Sequence, residues 1–171
     1  MNIFIFITFL LVSCTGIPKG TKAVDNFELN RYLGTWYEVA RLDNRFEQGL
    51  DNVSATYLAR TDGGIDVVNK GWNSIDKIWE TAEGKAYFVD TPDQGRLKVS
   101  FFGPFYSSYN IIELDKDNYS YAMVTGAQKS YLWILSRTKQ MDKSLLNNLI
   151  AKAKSYGFET DRLIWVEHNS E

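Results

Sequence analysis

From residue 35 onward the chain repeats one unit, a short run rich in Val, Ile, Tyr, Phe and Trp followed by a polar cluster with turn chemistry. Eight such runs occur, at roughly Thr35 to Arg41, Val53 to Arg60, Ile65 to Gly71, Glu83 to Val89, Arg96 to Phe102, Tyr109 to Leu114, Tyr119 to Thr125 and Tyr131 to Arg137. The breaks carry Asp62-Gly63-Gly64, Thr91 to Gly95, Gly103-Pro104, Asp115 to Asn118 and Gly126 to Ser130. None of these connections has room for a crossover helix, so neighbouring strands are expected to pair antiparallel. Eight up-and-down strands leave two bare edges unless the sheet closes, and closure at eight encloses space for side chains or one small ligand. The expected fold is therefore all-β, an eight-stranded antiparallel up-and-down barrel. Aromatic residues at 15% with only 3 prolines suit half-buried strands.

The period changes once. Over Asp142 to Tyr156, Leu145, Leu146, Leu149, Ile150 and Ala153 fall at helical spacing, with Asp142 as N-cap and Gly157 as terminator. This predicts one C-terminal helix packed outside the barrel, over strands that look apolar on both faces. Arg162 to His168 reads as a further short strand. A formal charge of -2 and no basic stripe exclude a nucleic-acid partner.

The amino terminus reads as an address. Ile3 to Val12 is apolar but only about half of the ~20 residues that span a bilayer, a length that suits a secretory signal. It ends in Leu11-Val12-Ser13-Cys14, which resembles the bacterial lipobox, although the n-region is only Met1-Asn2 and lacks Lys or Arg. Expected segments are a signal peptide at 1–13, a lipidated tether at 14–25 starting at Cys14, and a barrel domain at 26–171. With one cysteine, lipidated, there is no disulfide and stability rests on packing. Thr15, not an aspartate, resembles the signal for transfer to the outer membrane, which implies a periplasmic-face anchor.

If the first strand runs up, connections 42–52, 72–82, 103–108 and 126–130 lie at the top and 61–64, 90–95 and 115–118 at the bottom. The top ones are longer, so the mouth is expected there. Gly34-Thr35-Trp36-Tyr37-Glu38, Asp115 to Tyr119 and Ser136-Arg137 then share the bottom. This ordered trio, with the C-terminal helix, resembles the lipocalin family, specifically its bacterial outer-membrane lipoprotein type, over residues 26 to 168. The resemblance implies that Gly34, Trp36 and Arg137 are structural: the tryptophan plugs the closed end and the arginine lies across its ring, a cation–π contact of roughly 1 to 2 kcal/mol.

With Trp36 inward and the family's register for the other strands, pleat parity turns Ala55, Tyr57, Val67, Asn69, Val99, Phe101, Tyr109, Val124, Tyr131, Trp133 and Leu135 into the barrel. Such a lining suits an acyl chain with a modest head group, and the resemblance implies a fatty acid or lysophospholipid. Composition alone is equally consistent with side chains that merely fill the barrel. Phe46 and Leu50 in the first top connection, and Phe105-Tyr106 in another, could cover the ligand, touch membrane lipid, pack on the barrel or form a homodimer contact.

Chemistry has few candidates. The single histidine, His168, is expected in the solvated tail, so no Ser/His or Cys/His relay has a base. No usual zinc set can be assembled, Asp115 to Asn118 lacks the glycine and distal glutamate of a calcium loop, and Asp62 and Asp66 sit on solvated faces. No cofactor and no catalytic residue are expected. Three possibilities stand: a lipid carrier tethered to the envelope, a structural lipoprotein with a filled barrel, and, with the poorest inventory, a lipid-modifying enzyme.

Overall fold

In the computed structural model, which describes residues 15–168, the runs become strands of one antiparallel sheet: β1 (Gly34–Leu42), β2 (Leu50–Ala59), β3 (Ile65–Asn73), β4 (Ile78–Phe88), β5 (Arg96–Phe102), β6 (Phe105–Leu114), β7 (Tyr121–Thr125), β8 (Leu132–Ser136) and β9 (Leu163–Trp165). The order is β2-β3-β4-β5-β6-β7-β8-β1-β9, and β1 also pairs with β2, which closes eight strands into a barrel. Trp36 faces Ala55 of β2 and Glu38 faces Leu135 of β8. Where β1 leaves β2, β9 takes its place, with Ala40 opposite Trp165. The signal peptide and Cys14 lie outside the described residues.

Two strands begin four or five residues before the expected position. β4 starts at Ile78 and β6 at Phe105, so the connections expected at 72–82 and 103–108 shrink to turns at 74–77 and 103–104. Residues 78–83 are exposed on both faces and lack alternation; ladder pairing of Asn73 with Ile78 and Gly71 with Glu80 makes them a strand. Loop length therefore does not distinguish the ends. A side-chain plug does.

Two apolar layers follow from the pleat. Inside lie Trp36, Tyr57, Val67, Val124 and Leu135; outside, Met123, Leu132 and Ile134 pack under the helix Lys143–Ser155. The helix forms where its stripe and cap coincide: the Asp142 carboxylate accepts from Leu145 N, Leu149 and Ala153 are buried, and Gly157 ends it at φ 82°. The short helix Leu29–Tyr32, which has too few residues to show a period, covers the bottom.

At that end Trp36 is fully buried. Its Nε1 donates to Tyr32 O, Tyr32 packs on it at 4.8 Å, and the Arg137 guanidinium lies 3.9 Å from its ring centre. Arg137 also donates to the carbonyls of Tyr119, Thr35 and Arg31, tying three chain segments together. The Asp115 carboxylate accepts from the backbone of Asp117, Asn118 and Ser120, so it serves the turn.

Two segments differ from expectation. The described part of the stretch expected as a tether lies against the barrel: Val24 N donates to Ile111 O and Asn110 Nδ2 to Gly16 O, because inward-turned Ala23 and Val24 find apolar surface there. His168 is no solvated tail residue. Its Nε2 bonds to Glu38 O at 2.7 Å and its ring stands edge-on to Tyr37, held by the pairing of β9 with β1.

Trp36→Ala is expected to cost roughly 3 to 5 kcal/mol, and Arg137→Lys less, since charge survives but the planar stack and fork do not. Denaturant midpoints of the two variants measure both losses.

Candidate functional site

Of the eleven positions expected to face inward, nine share one interior cluster: Ala55, Tyr57, Val67, Val99, Phe101, Tyr109, Val124, Trp133 and Leu135. Ala55 stands opposite Asn69, and Tyr57 opposite Val67. Val99 is opposite Ala86, Tyr109 opposite Leu97, and Val124 opposite Trp133. Phe101 packs on the same interior cluster, Leu135 lies within it, and Tyr131 stacks on Trp133 at 6.0 Å.

Polar groups divide this interior into two levels. Near the plug, the Tyr109 hydroxyl bonds to those of Tyr32 and Tyr57, each at 2.7 Å. Burial pushes all three phenols well above their ordinary range, so they remain neutral hydrogen-bonding groups.

Higher up, the strand closing the barrel supplies a buried ion pair that the sequence did not disclose. Arg41 Nη1 donates to Glu38 Oε1 at 2.8 Å, with both side chains almost fully buried. Residues three apart in a regular strand face opposite ways. An irregularity between Glu38 and Ala40 turns both inward. The available signal was a charged pair inside a strand apolar on both faces. Arg41 also donates to the carbonyls of Glu47 and Leu50, which holds loop 43–49 over the interior. The Glu47 carboxylate accepts from Trp133 Nε1 at 2.9 Å and from Asn44. Burial, then the neighbouring Glu47, raises the Glu38 carboxyl well above the usual carboxylate range, while Arg41 pulls it down.

Accessibility varies along the interior. Trp36, Tyr57, Val67, Leu97, Ile111, Val124 and Leu135 are buried, whereas Ala55, Asn69, Val99, Phe101, Tyr109, Tyr131 and Trp133 are only partly buried although they face inward. Asn69 Oδ1 and Arg41 Nε are buried without a hydrogen-bond partner among the described residues. The interior thus presents partly accessible rings beside a few unspent polar atoms.

The chain matches the Lipocalin-like domain family over residues 27–168. It is 54% identical to "Outer membrane lipoprotein Blc" of Vibrio cholerae, covering 92% of each chain, and 50% identical to the protein of that name in Escherichia coli, covering 93% of this chain and 90% of the relative. It is 35% identical to "Temperature-induced lipocalin-1" of Arabidopsis thaliana over 85% of this chain and 81% of that one. Among solved structures, insecticyanin from the tobacco hornworm Manduca sexta aligns with a TM-score of 0.71 at 21% identity, over 91% of this chain and 88% of that one, which speaks for the fold.

Arg41→Met should cost about 3 to 5 kcal/mol, because it strands a buried carboxylate, and Glu38→Met in the same chain should recover much of that. Denaturant midpoints of the single and double variants report the coupling. Since the Glu38 pKa is raised on folding, its contribution favours the native state at low pH and declines as pH rises from the ordinary carboxylate range through the raised value. Glu38→Gln should flatten that decline in a series of denaturation curves against pH.

Proposed function

The chain belongs to the lipocalin family, and from that membership we propose that it is an envelope lipoprotein, acylated at Cys14 and held at the periplasmic face of the outer membrane, that carries or stores fatty acids or lysophospholipids. One observation supports the carrier over the filled barrel: the inward-facing rings of Phe101, Tyr109, Tyr131 and Trp133 remain partly accessible while those of Tyr32, Trp36 and Tyr57 around the plug are buried. The acyl chain would run along Val99, Phe101, Val124 and Trp133, stabilised by area burial near 25 cal/mol per Å². Its polar end would meet Asn69, Arg41 and the Glu47 carboxylate at the upper level, where directed bonds are few and tolerant of head-group size. Names of the relatives carrying "outer membrane lipoprotein", together with the Leu11 to Cys14 lipobox, support the anchor. Two or more acyl chains give stable attachment where one is marginal.

The reaction inventory supports binding over catalysis: the one histidine lies on the outer side of β1, and the carboxylates of Glu38 and Glu47 are engaged by Arg41, Asn44 and Trp133.

Trp133 faces the interior and Ile134 packs under the helix, so the two variants separate affinity from stability. Trp133→Ala should weaken a fluorescent fatty acid by on the order of 1 to 3 kcal/mol, whereas Ile134→Ala should lower stability and leave affinity nearly unchanged. Titrations at matched folded fraction decide; parental affinity in both variants sinks the carrier. Separately, Cys14→Ser should yield unprocessed or soluble protein without acyl label, and labelled mutant that fractionates normally with membranes would remove the anchor.

A further inference from the structure

The polar level of the interior brings together three charged side chains, two of them acidic. Glu38 and Arg41 form the buried pair, with Oε1 and Nη1 2.8 Å apart. Arg41 Nη2 donates to the backbone carbonyls of Glu47 and Leu50, not to the Glu47 side chain. Among the described residues, no cation stands within ion-pair distance of the Glu47 carboxylate. Neutral donors hold it instead, Trp133 Nε1 at 2.9 Å and Asn44 Nδ2. Two carboxylates therefore share one guanidinium beside Trp133, whose partly accessible ring faces the interior.

No second cation compensates them. Burial first, and Glu47 next, raises the Glu38 carboxyl, against the pull of Arg41. On β2 the Tyr57 hydroxyl is raised chiefly by burial, and the charges of Glu47 and Glu38 add to the rise, so the field of both carboxylates reaches the interior. The other charged groups nearby are turned elsewhere. Asp43 and Arg45 of the same loop are exposed, with Arg45 over the Phe46 ring. From β3 Lys70 stands over Trp79, and just after β8 Arg137 lies over Trp36 at the plug. His168 meets the backbone carbonyl of Glu38 from the outer side of β1.

We propose that Glu38 and Glu47 act as a charge filter on the ligand's polar end: a single-chain amphiphile whose end is uncharged or cationic enters as it is, and a fatty-acid carboxylate enters only together with a proton. This rests on the carrier reading above, with the polar end beside Arg41 and Glu47. A third carboxylate would stand with two others around one guanidinium, where like charges cannot all stay ionised. One proton, drawn from solvent and shared between the ligand carboxyl and Glu47, removes the excess charge. An ester or hydroxyl end brings no charge to compensate, and an ammonium offsets the Glu47 carboxylate directly. The unspent polar atoms agree with this. Arg41 Nε and Asn69 Oδ1, buried without a partner among the described residues, are one donor and one acceptor. A hydroxyl or a protonated carboxyl can answer both kinds, whereas a carboxylate only accepts.

The test titrates the full chain with dodecanoate, dodecylammonium and glycerol monododecanoate, matched in chain and kept below micelle formation, by calorimetry in buffers of different ionisation enthalpy. Dodecanoate should take up about one proton per molecule bound and lose affinity about tenfold per pH unit between about pH 6.5 and 8.5, the linkage of a single proton. The ester should take up none and keep its affinity across that range. At about pH 8 the ester and the ammonium should both bind at least about tenfold tighter than dodecanoate. Glu47→Gln, which keeps the ion pair of Glu38 with Arg41, should lower the proton uptake and narrow the gap between ester and dodecanoate. The ligand series on the unaltered chain decides even where the variant fails to fold. Dodecanoate bound without proton uptake, or more tightly than the ester at about pH 8, overturns the filter and leaves the carrier standing. An unchanged gap in the folded variant also overturns it. Binding of none of the three removes the carrier, and the filter with it.

Discussion

Closure of the sheet through β1 is the constraint on which the rest depends. This strand pairs with β2 over its first half, with β8 over its second, and with β9 where β2 has departed. An open sheet of these strands would expose two unpaired edges and both faces of its apolar residues. The same strand carries Trp36 at the plug and Glu38 and Arg41 in the interior, so closing the barrel also sets the floor and the polar level of the candidate site.

The interior is arranged by what burial permits. At the floor, ring stacking, the Arg137 fork and neutral tyrosine hydroxyls satisfy one another, and little remains for a ligand. Higher up, a carboxylate and a guanidinium are buried as a pair. Their bonds reach loop 43–49 through the carbonyls of Glu47 and Leu50, which ties the mouth to the wall. With a satisfied floor and an incompletely satisfied upper level, the interior is polarised along its length.

The outer surface carries a direction as well. The helix Lys143–Ser155 covers the apolar backs of β7 and β8, leaving that flank of the wall dry. At the mouth Phe46, Ile75, Phe102 and Phe105 have no such cover.

How much of this was written in the chain itself depends on the range over which each interaction acts. Strand period, turn chemistry, the capped helix and the inward set from Ala55 to Leu135 rest on local alternation, and local alternation is legible in sequence, with family resemblance supplying the register. Residues 78–83 could not be recognised as strand because no face of them is buried; only their ladder with β3 makes them one. The position of His168 was set by pairing across more than a hundred residues, and the docking of residues 15–26 by bonds to β6 and the turn before β5. Most telling is the Glu38 and Arg41 pair. Alternation assigns the two to opposite faces, and an irregularity in the ladder with β8 overrides it, because register at a barrel seam is decided by the geometry of closure and not by the residues of one strand.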